Sequence, residues 1–91
     1  MAKCVYIIKS KTVGENIGEI ENLVGITTEI ETAYKAAGQY LTGIPSGATI
    51  KVWAPEKRCE VEKLGDVFYG VTVFYGNLTD YYWMEEVKTL D

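Results

Sequence analysis

The stretch Val67-Phe68-Tyr69-Gly70-Val71-Thr72-Val73-Phe74-Tyr75-Gly76 carries the unit Val-Phe-Tyr-Gly twice, six residues apart. Side chains alternate with a period of two along a strand, so both copies are expected to present matching residues to the same face. One face would carry Val67, Tyr69, Val71, Val73 and Tyr75, and the other Phe68, Thr72 and Phe74. Because both faces are apolar, we predict a strand that is covered on both sides and around which a sheet is organised.

The composition is that of one small globular domain spanning residues 1–91, with 47% hydrophobic and 24% charged residues. No apolar run reaches the length of a secretory or membrane-spanning segment, which predicts a cytoplasmic protein. Cys4 and Cys59 have no histidine to complete a zinc site. We expect both cysteines to be reduced core thiols, with a disulfide as the alternative.

Residues 4–43 predict two strands and one helix. The apolar run Cys4–Ile8 predicts a central strand, whereas glycines interrupt Thr12–Gly25 and predict a loop with a short edge strand near Ile17–Glu21. Thr28–Glu31 has the pattern of a capping box at a helix start. The helix would place Ala33 and Ala37 close to the sheet and would end at Gly43 in the left-handed conformation.

Further strands are predicted between the helix and the repeat and also after the repeat. Ala48–Ala54 alternates, which places Ala48, Ile50, Val52 and Ala54 inward and Thr49, Lys51 and Trp53 outward, and Arg58–Lys63 would form a charged outer strand. For residues 78–88 we favour a strand over a helix, because adjacent aromatic residues suit a pleated surface. In the resulting hairpin Val73 would lie opposite Tyr82 and Phe74 opposite Tyr81, with Trp83 or Tyr81 covering Gly70. The predicted class is α+β, a single helix packed on a mostly antiparallel sheet of four to five strands.

Charge and residue types exclude several function classes. The net charge of −4 argues against direct binding of nucleic acid or an anionic membrane, which both require basic patches. The absence of histidine removes the common nucleophilic and acid–base designs. The chain also lacks the glycine-rich phosphate loops and the acidic calcium loop. We therefore predict a protein that is not an enzyme and uses no cofactor or metal.

Two groups of residues are candidates for binding a protein partner. The first is an acidic run without intervening Lys or Arg, for which a solvated edge is the structural alternative; its members are Glu15, Glu19, Glu21, Glu29 and Glu31. The second is aromatic, because Tyr and Trp are enriched at interfaces, although burial in the core is the alternative; its members are Trp53, Tyr69, Tyr75, Tyr81, Tyr82 and Trp83.

An acidic, histidine-free single domain that opens with Val5-Tyr6-Ile7-Ile8-Lys9 and combines one capped helix with an antiparallel sheet resembles a class of small inhibitors. Phages and mobile elements encode this class, which includes anti-CRISPR proteins. The resemblance implies a stoichiometric binder that acts in the host cytoplasm and blocks a nucleic-acid-handling enzyme, sterically or by placing carboxylates where the enzyme expects phosphates. The five glutamates would mimic phosphates and the exposed aromatic residues would anchor the complex.

Two other functions remain open from the residues alone. The first is a structural homo-oligomer, at its simplest a homodimer, that associates through an aromatic face of the sheet. The second is a module that binds a small ligand or nucleotide between helix and sheet.

Overall fold

The computed structural model describes residues 3–53 and 61–90, and within these ranges the chain forms one helix and five strands. In chain order they are β1 (Cys4–Gly14), β2 (Gly18–Thr27), α1 (Ile30–Thr42), β3 (Thr49–Trp53), β4 (Asp66–Tyr75) and β5 (Leu78–Lys88). The strands lie in the order β2-β1-β5-β4-β3, and each neighbouring pair is antiparallel. The predicted α+β class is confirmed.

The sheet has a helix face, covered by α1, and an opposite face. On the helix face a buried cluster forms from Ile8, Ala33, Ala37, Tyr82 and Met84. On the opposite face a second buried cluster forms from Trp53, Val61, Val67 and Trp83. Both faces are therefore covered near the middle of the sheet, as the two apolar faces of the repeat predicted.

The centre of the sheet is the ladder between β1 and β5. It runs without interruption from the pair Cys4 and Lys88 to the pair Gly14 and Leu78. The predicted strand at Cys4–Ile8 is confirmed, although it continues to Gly14. The strand favoured for residues 78–88 is confirmed as β5.

Strand β2 forms one edge of the sheet and is longer than the predicted segment Ile17–Glu21. Gly18 has a φ of 69° and closes the turn after β1, a conformation that glycine adopts without steric cost. The ladder to β1 shifts register between Ile8 and Lys9, where a bulge in β2 accommodates one extra residue. The glycines in this segment therefore mark a turn and an irregularity, and do not prevent strand pairing.

The helix begins and ends differently from the predicted caps. Its N-cap is Glu29, which has no side-chain cap; the Glu29 backbone N–H donates to Thr27 Oγ1 at 3.0 Å. The predicted capping box with Thr28 as N-cap is therefore wrong. Gly43 follows the last helical residue as predicted, but in the right-handed region at φ −87°. Ala33 and Ala37 are buried against the sheet, as expected.

The two copies of Val-Phe-Tyr-Gly match only in part: Tyr69, Val71, Val73 and Tyr75 share the helix face as predicted, whereas Val67 and Phe68 do not lie on their predicted faces. The ladder between β4 and β5 shifts register between Val67 and Tyr69, which makes Phe68 an extra residue. Phe68 and Tyr69 both lie on the helix face, where their rings meet Tyr34 edge-on at 5.9 and 6.2 Å. Val67 packs on the opposite face. The period-two rule fails here because it assumes a strand without a bulge.

The β4–β5 hairpin closes with a tighter turn than predicted. Tyr75 pairs with Leu78 across a two-residue turn in which Gly76 has a φ of 58°. The predicted pairs of Val73 with Tyr82 and of Phe74 with Tyr81 are therefore wrong. The pairs that form are Val73 with Asp80 and Phe74 with Thr79.

In β3 the burial of Trp53 and Val52 is the reverse of that predicted. Trp53 is only 8% exposed, whereas Val52 is 67% exposed. The reason is Gly70, which lies directly across from Trp53; a Cβ at Gly70 would overlap the indole ring, so the ring occupies the space that glycine leaves. The ring nearest to Gly70 is therefore that of Trp53 and not that of the predicted Trp83 or Tyr81, although Trp83 on β5 pairs with Gly70 and lies in the same buried cluster as Trp53. Thr49 and Lys51 are exposed, as is Ile50, which was predicted to face inward.

Part of the predicted outer strand Arg58–Lys63 lies outside the described residues, and so do Ala54 and Cys59. Its described portion, residues 61–63, is not in a strand. Cys4 is a half-buried free thiol on β1. None of the helices in the described ranges is long and apolar enough to cross a membrane.

Candidate interaction surface

The outer edge of β2 is an open apolar surface. Of its ten residues only Gly25 and Thr27 are half-buried, and the rest are exposed. Five large apolar side chains are 46–60% exposed along this strand and the turn before it; they are Ile17, Ile20, Leu23, Val24 and Ile26. A long edge strand with exposed apolar side chains is a template on which another strand can pair.

Three of the predicted acidic residues lie at one end of this edge. Glu15 is in the turn between β1 and β2, and Glu19 and Glu21 follow on β2. Glu19 and Glu21 are two residues apart, so both point to the opposite face of the sheet. Lys11 Nζ lies 3.5 Å from Glu19 Oε1, yet 66% of the Glu19 side chain remains exposed. These glutamates are accessible to a partner.

The other two predicted acidic residues lie elsewhere. Glu29 and Glu31 stand at the start of α1, which follows the far end of β2. Ten residues of strand separate them from the β1–β2 turn, a distance of about 30 Å at the usual rise per residue. The acidic run therefore forms two groups and not one continuous patch. Glu31 lies in the first turn of α1, where a negative charge also stabilises the helix.

Most of the predicted aromatic anchors are not on the surface. Trp83 and Tyr82 are 0% and 2% exposed, and Trp53 is also buried. Tyr69 and Tyr81 are half-buried, while Tyr75 is 48% exposed. The core alternative therefore holds for both tryptophans and for Tyr82, whose ring stacks on Tyr40 with centroids 4.1 Å apart.

A buried carboxylate that the sequence reading did not single out organises the opposite face. Glu85 is fully buried. Its Oε1 accepts the backbone N–H groups of Leu64 at 2.6 Å and Gly65 at 2.9 Å. Its Oε2 accepts Trp83 Nε1 at 2.7 Å and lies 3.3 Å from Lys9 Nζ. Glu85 thereby holds the segment before β4 against the sheet.

These contacts explain why Glu85 is ionised and why the sequence alone does not reveal its role. Burial acts to raise its pKa, but the hydrogen bonds from Gly65, Trp83 and Leu64, with the charge of Lys9, lower the pKa below its ordinary value. An ionised carboxylate with several donors is suited to anchoring, not to proton transfer. Its backbone donors lie 20 and 21 residues earlier in the chain, so no local spacing reveals it.

No protein-family model, curated protein or solved structure matches this chain. Within the part of the chain that the structure describes, no three Cys, Asp or Glu side chains are grouped so that they could hold a metal ion.

Proposed function

We propose that this chain is a non-enzymatic, acidic protein-binding module that docks on a basic surface of its partner through β2. The observation that carries the proposal is the β2 edge, where exposed apolar side chains are combined with the carboxylates of Glu19 and Glu21. Edge strands bind extended segments of other proteins through backbone hydrogen bonds, and the flanking side chains supply specificity.

The two kinds of residue on β2 have different tasks in this proposal. The negative charge of Glu15, Glu19 and Glu21 attracts a basic partner and orients its approach. The apolar side chains of Leu23 and Ile26, both 60% exposed, then lose contact with water in the complex. The charged residues thus govern the rate and the salt dependence of association. The apolar residues govern how slowly the complex dissociates.

The partner class we propose is an enzyme that handles nucleic acids. Glu19 and Glu21 lie about 7 Å apart along an extended backbone, so they place two negative charges next to each other along one strand, as neighbouring phosphates are placed along a nucleic-acid strand. The resemblance to small phage inhibitors supports the same class. Binding of β2 over the basic site of such an enzyme would block it sterically and by phosphate mimicry.

The test compares two charge reversals of equal size. Glu19→Lys with Glu21→Lys alters β2, whereas Glu62→Lys with Asp66→Lys alters exposed acidic residues away from it. Each pair changes the net charge of −4 by +4, to zero. Immobilised protein captures partners from nuclease-treated lysate, and the affinity of the captured protein is then measured at low and high salt.

We expect a basic, nucleic-acid-handling protein to bind the wild type and the control pair, and the β2 pair to lose binding. The wild-type complex should weaken as salt increases, and the captured enzyme should lose activity on nucleic acid. Equal loss in both pairs would show that net charge and not β2 governs binding. Absence of any captured protein at low salt would overturn the proposal.

A second candidate function is self-association through the sheet edges. Strand β3 forms the other edge, and its Ile50 and Val52 are 45% and 67% exposed. Pairing of this edge with a second copy would bury them. Light scattering at high concentration distinguishes the two functions: a mass equal to the monomer excludes self-association, and a larger mass that Val52→Lys returns to the monomer supports it.

A further inference from the structure

A groove of about 450 Å³ lies on the helix face, where the end of α1 passes over the β4–β5 hairpin. Tyr40 lines it from α1, Ile44 from the turn after α1, and Val73 and Leu78 from the hairpin. Its size is within the range of sites for small organic ligands, and its walls are mainly apolar. The stacking of Tyr40 on Tyr82 gives the groove a fixed wall.

The polar part of this groove is negative. Asp80 lines it, and Thr12 Oγ1 donates to Asp80 Oδ1 at 2.6 Å, which fixes the carboxylate. A carboxylate has about four acceptor positions, so capacity remains for a ligand donor. The last turn of α1 contains no basic residue, and the negative end of the helix dipole points to the same region.

In the described part of the chain, the lining of the groove carries no positive charge that would favour an anion. Among the described residues that line the groove there is one carboxylate and no Lys or Arg. Burial and the charge of Asp80 raise the pKa of Tyr40 to about 12, so its hydroxyl remains neutral and adds no positive charge. The groove therefore combines apolar walls with a single fixed negative group.

We propose that this groove binds a small primary amine with an apolar body, whose ammonium group lies against Asp80 and whose body packs on Ile44, Val73 and Leu78. Charge complementarity selects the cation, and the apolar walls select the body. The inference does not rest on the function proposed for β2, because Asp80 lies on the helix face and Glu19 and Glu21 on the opposite face.

The test titrates the isotope-labelled full chain with three ligands of similar shape and follows amide shifts by NMR. Phenethylamine is the cation, 2-phenylethanol the neutral analogue and 3-phenylpropionate the anion. We expect phenethylamine to shift the amide signals of Tyr40, Ile44 and Leu78, and the other two ligands to have little effect. This comparison needs no substitution, so it decides the question even if a variant fails to fold.

Two matched variants locate the charge. Asp80→Asn keeps the shape and an acceptor for Thr12, and should weaken phenethylamine binding about tenfold or more, as loss of a charge-assisted bond does. Asp66→Asn removes the same charge at the start of β4 and should leave the affinity unchanged. The Glu19→Lys, Glu21→Lys variant should also bind the amine as the wild type does, so the two proposals can fail separately.

Three results would overturn the inference. The first is absence of shifts at about 10 mM phenethylamine, because the affinity would then be too weak for a specific site. The second is equal binding of the alcohol or the acid. The third is unchanged affinity in Asp80→Asn.

Discussion

The two faces of the sheet are held by different kinds of interaction, and two neighbours on β5 show the contrast. Met84 and Glu85 are both fully buried and point to opposite faces. Met84 contacts apolar side chains of the helix-face cluster. Glu85 receives three hydrogen bonds and faces Lys9. We call the helix face the packed face, and the opposite face, where a hydrogen-bonded carboxylate adds to the apolar cluster, the anchored face.

The difference follows from what each face has to hold. A helix supplies its own backbone hydrogen bonds, so α1 requires only apolar contact with the sheet. Residues 61–65 are not in a helix or strand, and their backbone N–H groups require other partners. The carboxylate of Glu85 is the partner of two of them, those of Leu64 and Gly65. Apolar packing therefore loses little stability when a side chain changes its shape. A network of directional hydrogen bonds loses much more when one of its charges is removed.

The largest expected effect is on the anchored face. Glu85→Gln leaves Lys9 without its counter-charge and replaces an acceptor by an amide N–H₂ group near existing donors. We expect the free energy of unfolding to fall by about 3 kcal/mol, the loss that follows when one partner of a buried ion pair is removed. Urea denaturation measures it.

Met84→Leu is the matched control on the packed face, with an expected loss below about 1.5 kcal/mol because the volume is nearly conserved. If the two variants lose similar stability, the contrast between the faces is wrong.

The next effect concerns the fit of Trp53 over Gly70. Gly70→Ala places a Cβ where the indole ring lies, so the ring has to move. We expect a loss of about 1–3 kcal/mol, as for other overpacked positions, with a change in tryptophan fluorescence. Gly25→Ala on β2 is the control, since no atom lies within 4 Å of its added Cβ. An unchanged emission spectrum in Gly70→Ala would contradict the packing described for Trp53.

A smaller effect is expected from pH, because only the pKa difference between the folded and unfolded chains contributes. The pKa of Glu85 in the folded chain is lowered from its ordinary 4.5. Its stabilising contribution is therefore complete above the unfolded pKa and is lost as pH falls through the folded pKa. The melting temperatures of the wild type and Glu85→Gln should converge below about pH 4.5. A gap that stays constant from pH 7 to pH 3 would contradict this.

The smallest effect is a gain on the exposed side of α1. Gly38 lies inside α1, is exposed, and has no atom within 4 Å of the position of an added Cβ. Gly38→Ala should therefore raise the free energy of unfolding by up to about 1 kcal/mol, through helix propensity alone. Thermal denaturation measures it, and a loss of stability would show that α1 needs this glycine for contact with a neighbour.

Sequence patterns predicted the elements better than the faces of their residues. The apolar run at Cys4–Ile8, the alanines of α1 and Gly43 after its last turn are local signals, and each predicted its element. The faces of β3 and β4 depend on events across the sheet. The extra residue Phe68 reverses the side of Val67, and the missing side chain of Gly70 draws Trp53 inward.

The candidate sites were predictable to a similar extent. The glutamates of β2 lie on the surface, as an acidic run without Lys or Arg indicated. Glu29 and Glu31 belong to the same run in sequence, but they lie at the start of α1, at the other end of β2. The groove beside Asp80 combines residues from β4, β5 and the end of α1, which are distant in sequence. Only the fold brings them together.

The ladder between β1 and β5 has a consequence for folding during synthesis. It pairs residues 4–14 with residues 78–88, so the middle of the sheet joins segments separated by almost the whole chain. On the ribosome, β1 and β2 can form a hairpin early, but β1 gains its second neighbour only after residue 88 has left the exit tunnel. Contacts of such long sequence separation slow folding. Until then β1 lacks its partner β5, and Ile8 lacks the Met84 side chain beside which it is buried.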